Sequence, residues 1–527
     1  MARLAVRPLD ASLSPAWVRW LPWVLLSTYA VLWAARWPTF PLVLDPAYHL
    51  SIAQQMVLAD GPLAYEWWEC APVGRPHLYP PVLHLLLAVL LKLGCPSIIA
   101  LRLVTAAIVP LLLGTVFVVS RRLFGPSVAL ACLLTSSLPF SMYLQVADAM
   151  ASGLAMIELL WFMAAFVEGR RVASACLLAL MFYTHLGMGW IACGSLAGWW
   201  VWRAAPCDRV RLLIVVGGGL LALPWFGHLL GHVQAFHLSS RYENTTLDLM
   251  PFLFALAGIG VWRCWKDEGR RRLPLGLWAG FCLMAYPFTF RWISGEGLLP
   301  ICVLAGFGLE ALAQKACCLR GVRHAWVGIV TLGVLAALSP SLLIGPGAGT
   351  VQVRWADSAP FHLMGGNRTQ RKPRDAFLYT PHIERLSQRV KHLSAAGDIL
   401  WSNASYAGGL VAALAHRPTA SAMFYEVPPA RPFDPIGASR WILWFKIGLQ
   451  PGVPALEELR RRYALELVEE DELAMVFRNP AVGDAAHPPE SVVPLWVVFV
   501  LLCAVCAAIT WDFAAIHDHR ERTHGQT

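Results

Sequence analysis

Long apolar runs broken by short polar, Arg-rich segments recur along most of the chain. A membrane-crossing helix needs about 20 predominantly apolar residues. Runs read in this way are 17–35, 98–119, 127–145, 149–167, 172–185, 187–202, 210–230, 249–263, 273–289, 298–314, 325–345 and 492–512, with 172–185 and 187–202 the shortest pair. The first run is followed by Arg36 and Trp37 with no small-residue cleavage site, which reads as a retained signal-anchor. A Pro-led run at 80–93 is short and is expected to lie along the interface.

Basic residues set the threading, because Arg and Lys concentrate on cytoplasmic loops. With the N-terminus in the cytosol and 80–93 kept outside, the clusters Arg121/Arg122, Arg170/Arg171, Arg203 to Arg211, Arg263 to Arg272, Lys315 to Arg323 and Arg520/Arg522 all fall inside. This predicts 12 spans with both termini cytosolic. The expected fold is an all-α polytopic membrane domain with a small α/β extracytoplasmic domain before the last span. Its divisions are a membrane domain at 1–345 with a first outer loop at 36–97, an outer domain of roughly 145 residues at 346–491, and a last span and cytosolic tail at 492–527. In the outer domain, helices fit 381–395, Tyr406–Ala415 and 454–463, and strands fit Asp398–Ser402, Trp441–Phe445, Leu465–Glu469 and Leu473–Arg478. The Pro/Gly-rich segments 339–348 and 426–437 read as loops.

Composition narrows the classes. Hydrophobic residues make up 57% of the 527 and charged residues 14%, with mean hydropathy +0.54. A soluble domain carries roughly 25% charged residues, so a cytosolic enzyme and a disordered chain are excluded. The net charge of +9 is accounted for by cytoplasmic loops, and no nucleic-acid partner is expected. Most of the 13 cysteines sit in apolar runs and 346–491 has none, which argues against a disulfide framework. Cys503 and Cys506 are read as packing within a span.

The first outer loop holds the densest candidate chemistry. It reads Leu44-Asp45-Pro46-Ala47-Tyr48-His49-Leu50, then Ala53, Met56 and Gly61, then Glu66-Trp67-Trp68-Glu69 and Arg75-Pro76-His77-Leu78-Tyr79-Pro80-Pro81. Asp45 by itself reads as an N-cap, since Pro46 suits a first helical turn. Asp148 precedes a span and serves equally as a cap. Arg291 can snorkel to headgroups, and Glu66 and Glu69 flank tryptophans suited to an interfacial belt. His228 and His232 lie four apart and could share a metal if His237 joined, although a solvated helix end explains them as well.

The order of these features resembles the GT-C-type glycosyltransferases, a group that includes protein O-mannosyltransferases, lipid A aminoarabinose transferases and the catalytic subunit of oligosaccharyltransferase. The resemblance rests on Asp45, Tyr48, Ala53, Met56 and Gly61 followed by Tyr79-Pro80-Pro81. It continues through Arg121-Arg122-Leu123-Phe124-Gly125, Pro139 to Asp148, and Arg291 before Leu298-Leu299-Pro300 with Gly306 and Gly308. Asp398 to Ser402, Gly408-Gly409 and His416-Arg417-Pro418 resemble the outer domain of prokaryotic members. Two departures stand out. Many members carry a second acid where this chain has Pro46, and the Trp-Trp-Asp signature of oligosaccharyltransferases is absent, because Trp67-Trp68 is followed by Glu69. The second argues against N-glycosylation of proteins.

The resemblance implies inverting transfer of a sugar from a polyprenyl-phosphate donor to a lipid, glycan or protein acceptor, outside a bacterial or archaeal plasma (inner) membrane. Asp45 would be the general base, and Asp148 would orient the acceptor or share a divalent metal (Mg or Mn). Arg291 would grip the donor phosphate with Arg241 and His185 in support. Glu66, Glu69, Arg75, His77 and Tyr79 form a second rank. Competing readings are a secondary transporter, a polysaccharide ligase or polymerase, and a non-catalytic protein of the same fold. A transporter places its ionisable groups near the bilayer midplane and often shows repeated halves. Here the acids cluster at the outer surface and no repeat is found.

Overall fold

A computed structural model describes residues 20–36, 45–147, 151–203, 209–235, 247–267, 269–284, 289–320, 325–345, 351–355, 357–364, 381–423, 427–446, 453–482 and 485–524. Helices dominate. The chain runs through α1 (Leu21–Arg36), α2 (Asp45–Leu58), α3 (Val82–Lys92), α4 (Ser97–Phe124), α5 (Pro126–Ser136), α6 (Phe140–Ala147), α7 (Ala151–Glu168), α8 (Arg171–Thr184), α9 (Leu186–Arg203), α10 (Arg209–Leu221) and α11 (Leu223–Gly231). Then come α12 (Pro251–Lys266), α13 (Leu273–Phe281), α14 (Thr289–Ser294), α15 (Leu298–Arg320) and α16 (Ala325–Leu338). Among the described residues, Ser97–Phe124, Ala151–Glu168, Arg291–Ala316 and Leu495–Ala514 are long and apolar enough to cross a membrane. A fifth is added if the bent pair Leu213–Leu221 and Leu223–Gly231 counts as one.

Proline accounts for two departures from the expected runs. The run at 127–145 is two helices, α5 and α6, separated at Ser137–Pro139. The run at 210–230 bends by 57° where Pro224 opens α11, because a ring in place of an N–H breaks the hydrogen-bond ladder. The run at 325–345 also differs: α16 stops at Leu338, and 341–344 is a strand rather than the end of a span or a loop. The short run at 80–93 forms α3, which packs against α2, α4, α7 and α8.

Small residues let the central helices touch backbone to backbone. Helix α15 runs along α12 and α5. A Cβ at Gly308 would lie 2.0 Å from the Leu256 carbonyl oxygen, closer than any real contact. In a membrane, where lipid is as apolar as leucine, such close approach is a main source of helix association.

The first outer loop carries a short antiparallel pair, β1 (Tyr65–Glu66) and β2 (Arg75–Pro76), with Glu66 opposite Arg75. A second antiparallel sheet, which the sequence pattern did not predict, joins β3 (Leu247–Leu249), β4 (Ser341–Ile344) and β5 (Val351–Arg354). After α17 (Ala359–Leu363), an α/β unit contains α18 (Pro381–Leu393), β6 (Leu400–Ser402), α19 (Ser405–Ala415), β7 (Trp441–Phe445), α20 (Leu456–Tyr463), β8 (Glu466–Glu470) and β9 (Ala474–Arg478). Its strand order is β6-β7-β9-β8, with β6 parallel to β7 and the other pairs antiparallel. Side chains alternate across a strand, so β7 serves two cores. Trp441, Leu443 and Phe445 join the main core, to which α19 also belongs. Ile442 and Trp444 join a smaller core with Leu459 of α20.

The last helix, α21 (Leu495–His524), is held at its start and again around Asp512. The Leu495 amide donates to the Asp60 carbonyl (2.6 Å) and Val492 to Pro62 (2.9 Å). Toward the other end, Arg170 donates to the Asp512 carbonyl, and the guanidiniums of Arg122 and Arg170 lie 5.0 and 4.6 Å from the Phe513 ring. The first loop and the Arg122/Arg170 cluster therefore meet opposite ends of its apolar span, Leu495–Ala514.

Replacing Gly308 by leucine is expected to destabilise the protein by about 1–3 kcal/mol through overpacking, read as a lowered thermal midpoint in detergent. Gly219→Ala, where a Cβ meets nothing within 4 Å, should leave the midpoint unchanged or raise it slightly.

Candidate active site

Asp45 is the first residue of α2 and is partly exposed. Tyr48 and His49 lie three and four residues on, on the same helical face, and both are buried. Beneath them the β1–β2 register creates a closed ionic cluster. The Arg75 Nε donates to Glu66 Oε2 (2.7 Å), its Nη2 to Glu69, and its Nη1 to the Val427 carbonyl (2.8 Å). Glu66 Oε1 also accepts from the Tyr48 hydroxyl (2.7 Å) and from His77 Nδ1 (2.6 Å). Gly74, at φ +63 and with no room for a Cβ beside the Tyr65 ring, supplies the turn that returns β2 onto β1.

Glu66, Glu69, Arg75 and His77 are each at most 1% exposed. Two buried carboxylates and a guanidinium hold one another, and the cluster reaches the α/β unit through Val427 and the Met423 amide, which donates to Glu69 (3.1 Å). Backbone bonds continue the seam, from Ala71 to Thr419 (3.0 Å), Thr419 to Trp68 (2.8 Å) and Ala430 to Gly74 (2.9 Å). Burial raises the Glu66 pKa, but Arg75, His77 and Tyr48 outweigh it and hold it at about 2.

A layer of rings covers the cluster. His49 Nδ1 and His84 Nε2 are 2.7 Å apart, so one ring donates and the other, unprotonated there, accepts. Burial first, then His77, lowers the His49 pKa to about 3; burial, His49 and His77 push His84 well below its usual value. The Tyr79 ring packs 5.7, 5.0 and 5.4 Å from those of Tyr48, His49 and His84. His228 Nε2 donates to the His77 carbonyl (2.8 Å), which ties α11 to the loop.

A separate polar group gathers around α14. The Arg291 guanidinium faces Glu296 (3.7 Å), and both act electrostatically on His185, the residue linking α8 to α9. The Met188 amide donates to His185 Nδ1 (3.3 Å), which puts the proton of a neutral ring on Nε2. Beside Arg291, Trp292 and Ile293 of α14 line an apolar cavity of about 240 Å³ together with Phe254 and Val261 of α12 and Leu304 of α15.

The structure thus brings Glu66, Glu69, Arg75, His77 and Tyr79 together, and places His185 with Arg291. Asp148, Arg241 and His237 lie outside the described residues. Among the described residues, no three His, Cys, Asp or Glu side chains are arranged to hold a metal ion. Two buried acids close to Arg291 and His185 were missed by sequence reasoning. Glu296 is 1% exposed beside Arg291, and Glu158, in the middle of α7, accepts from the Thr184 hydroxyl (2.9 Å) one residue before His185. A lone acid inside an apolar run was the available signal for Glu158.

Arg75→Met would leave two buried carboxylates without their cation, and a loss of about 3–5 kcal/mol is expected, measured by denaturation of the purified protein. Acid should act in two stages. The lowered His49 pKa gives stability present above pH 6.5 and lost as pH falls toward about 3, because the unfolded ring takes up the proton first. The lowered Glu66 pKa adds a loss between 4.5 and about 2. The protection factors of residues 46–58 against hydrogen exchange should therefore fall already below pH 6.5, and the double variant His49→Leu/His84→Leu should lose the slope above pH 4.5.

No family model matches the sequence, and no curated protein does either. Solved structures do match. The archaeal oligosaccharyltransferase AglB from Archaeoglobus fulgidus, in complex with an inhibitory peptide and a dolichol-phosphate, aligns at 12% identity over 82% of this chain and 70% of its own, with a TM-score of 0.57. ArnT from Cupriavidus metallidurans, bound to undecaprenyl phosphate, aligns at 15% identity over 89% of this chain and 100% of its own, with a TM-score of 0.54. The arabinofuranosyltransferase AftD from Mycobacteria aligns at 14% identity over 91% of this chain and 41% of its own, with a TM-score of 0.52. All three share one architecture, and with it this chain has the GT-C fold of polytopic membrane glycosyltransferases.

Proposed function

We propose that the protein is an inverting glycosyltransferase that moves a sugar from a polyprenyl-phosphate donor to a lipid, glycan or protein acceptor on the extracytoplasmic side of a plasma (inner) membrane. The observation that carries the reading is an apolar cavity lined by Trp292 and Ile293, the residues that follow Arg291 on α14, within a fold of which two solved examples hold dolichol-phosphate and undecaprenyl phosphate. A prenyl chain needs an apolar groove and its phosphate needs a cation, and α14 supplies both.

In the reaction, an acceptor hydroxyl oxygen attacks the anomeric carbon. Asp45 takes the hydroxyl proton as the new glycosidic bond forms. The bond from the anomeric carbon to the phosphate oxygen breaks, and polyprenyl phosphate departs with the electron pair. Arg291, with Arg241 and His185 in support, stabilises the charge that develops on that phosphate. Asp148 orients the acceptor. Glu296 faces the guanidinium at 3.7 Å and helps to position it.

The twelve-span threading, with the first loop and the 346–491 region outside, belongs to the same reading. It is supported by the position of Arg122 and Arg170 toward the Asp512 end of α21, opposite the end that meets Asp60 and Pro62. Lys and Arg favour the cytoplasmic side.

The test is release of sugar from a panel of radiolabelled polyprenyl-phosphate sugars by purified protein. Asp45→Asn should lower release by about 10²–10⁴-fold, the contribution of a positioned base. Arg291→Gln should lower it by about 10²–10³-fold. Equal release by wild type and Asp45→Asn would remove Asp45 from the chemistry. A panel that yields nothing while a control enzyme works would overturn the catalytic reading.

A further inference from the structure

A second cavity, of about 460 Å³, lies where the C-terminal ends of α2 and α3 and the start of α4 meet α18 and α19. Its position sets it apart from the site above. Asp45 and Leu58 are the two ends of α2, roughly 20 Å apart at 1.5 Å per residue, and the cavity is at the Leu58 end.

The lining divides into two chemistries. Val57, Leu58, Leu91, Ile98 and Leu414 form an apolar wall. Beside it, Leu58 and Leu93 are 61% and 79% exposed, at the head of α4, one of the helices long enough to cross a membrane. The mouth therefore opens at the level where a span ends. On the opposite wall, α18 presents Glu384, Ser387, Gln388 and Lys391. Glu384 and Lys391 are seven residues apart, so they share a helix face at a separation of about 10.5 Å along the axis. Around the cationic end stand His416, which feels the charge of Lys391 and Arg417, and Ser97, whose hydroxyl is 3.4 Å from His416 Nε2. Gln54 completes that wall. It is 3% exposed, its amide donates to the Ala413 carbonyl (2.8 Å), and its Oε1 has no partner among the described residues.

We propose that this cavity holds the headgroup of a zwitterionic phospholipid bearing a primary ammonium, of the phosphoethanolamine type. The phosphate sits at Lys391, with His416 and Ser97 beside it. The ammonium sits at Glu384, and the upper acyl chain lies on the Val57–Leu91–Ile98 wall. An anion and a cation two turns apart on one helix match a ligand with the opposite charges at its two ends. An anionic headgroup would meet Lys391 but be repelled by Glu384, and a trimethylated ammonium would offer Glu384 no hydrogen-bond donor. The bound lipid would tie α2–α4 to the α/β unit, roughly 20 Å from Asp45 along α2. The proposal stands apart from the transfer reaction and does not depend on it.

The experiment equilibrates the purified full chain with vesicles of equal phosphatidylethanolamine, phosphatidylglycerol and phosphatidylcholine, re-extracts it in mild detergent and quantifies retained lipid by mass spectrometry. Wild type should retain phosphatidylethanolamine in excess of the other two. Lys391→Gln and Glu384→Gln, at a helix surface where folding is not at stake, should each lower that excess by about three- to fivefold, the size of a partly exposed ion pair. Glu384→Lys should shift the preference to phosphatidylglycerol. Soluble phosphoethanolamine at the same concentration should not displace the lipid. Retention unchanged by both Gln variants would overturn the proposal, as would equal retention of phosphatidylglycerol by wild type. Displacement by the soluble headgroup would also overturn it, because the apolar wall would then play no part.

Discussion

One guanidinium joins the first loop to the α/β unit. Arg75 is fully buried between Glu66 and Glu69, and an arginine in that position cannot shed its charge. Its charge must be met by an acid close at hand, and the β1–β2 register places Glu66 opposite Arg75. Arg75 Nη1 also donates to Val427, and Glu69 Oε2 also accepts from Met423. The first loop and the α/β unit thus share one electrostatic centre. A buried charge is costly unless it is paired and hydrogen-bonded, and here the partners come from both sides of the seam.

That centre also sets the position of α2. Tyr48 donates into Glu66, and His49 is locked to His84, so the helix headed by Asp45 is clamped one turn below its first residue. A side chain that must approach a reacting hydroxyl within hydrogen-bond range has to be carried on a rigid element. Through Tyr48, Glu66 and the Arg75 and His77 side chains bonded to it help to hold α2 in place. The setting of α14 depends on glycine-mediated packing: Gly308 brings α15 against α12, and these two helices help to wall the apolar cavity lined by Trp292 and Ile293.

The two clusters differ in how they are bonded. In the first, three Arg75 nitrogens donate to Glu66, Glu69 and Val427. In the second, Arg291 faces Glu296 at 3.7 Å, and both act electrostatically on the His185 ring.

The sequence by itself determined the class. The spacing of apolar runs marks a polytopic membrane protein, and the alternation and helical periodicity after residue 380 mark α18, β6, α19, β7, α20, β8 and β9 to within a few residues. Those patterns are local, because a span or a half-buried strand is written in consecutive side chains. The candidate residues of the first loop were visible as types, but their relation was not. Only tertiary structure decided that Glu66, Glu69, Arg75 and His77 form one buried network, because that depends on a turn at Gly74 and on partners near residue 425. The β3–β4–β5 sheet was likewise set by pairing between distant segments, for which a single chain read residue by residue carries no signal, whereas the breaks at Pro139 and Pro224 have a local cause that the sequence displays.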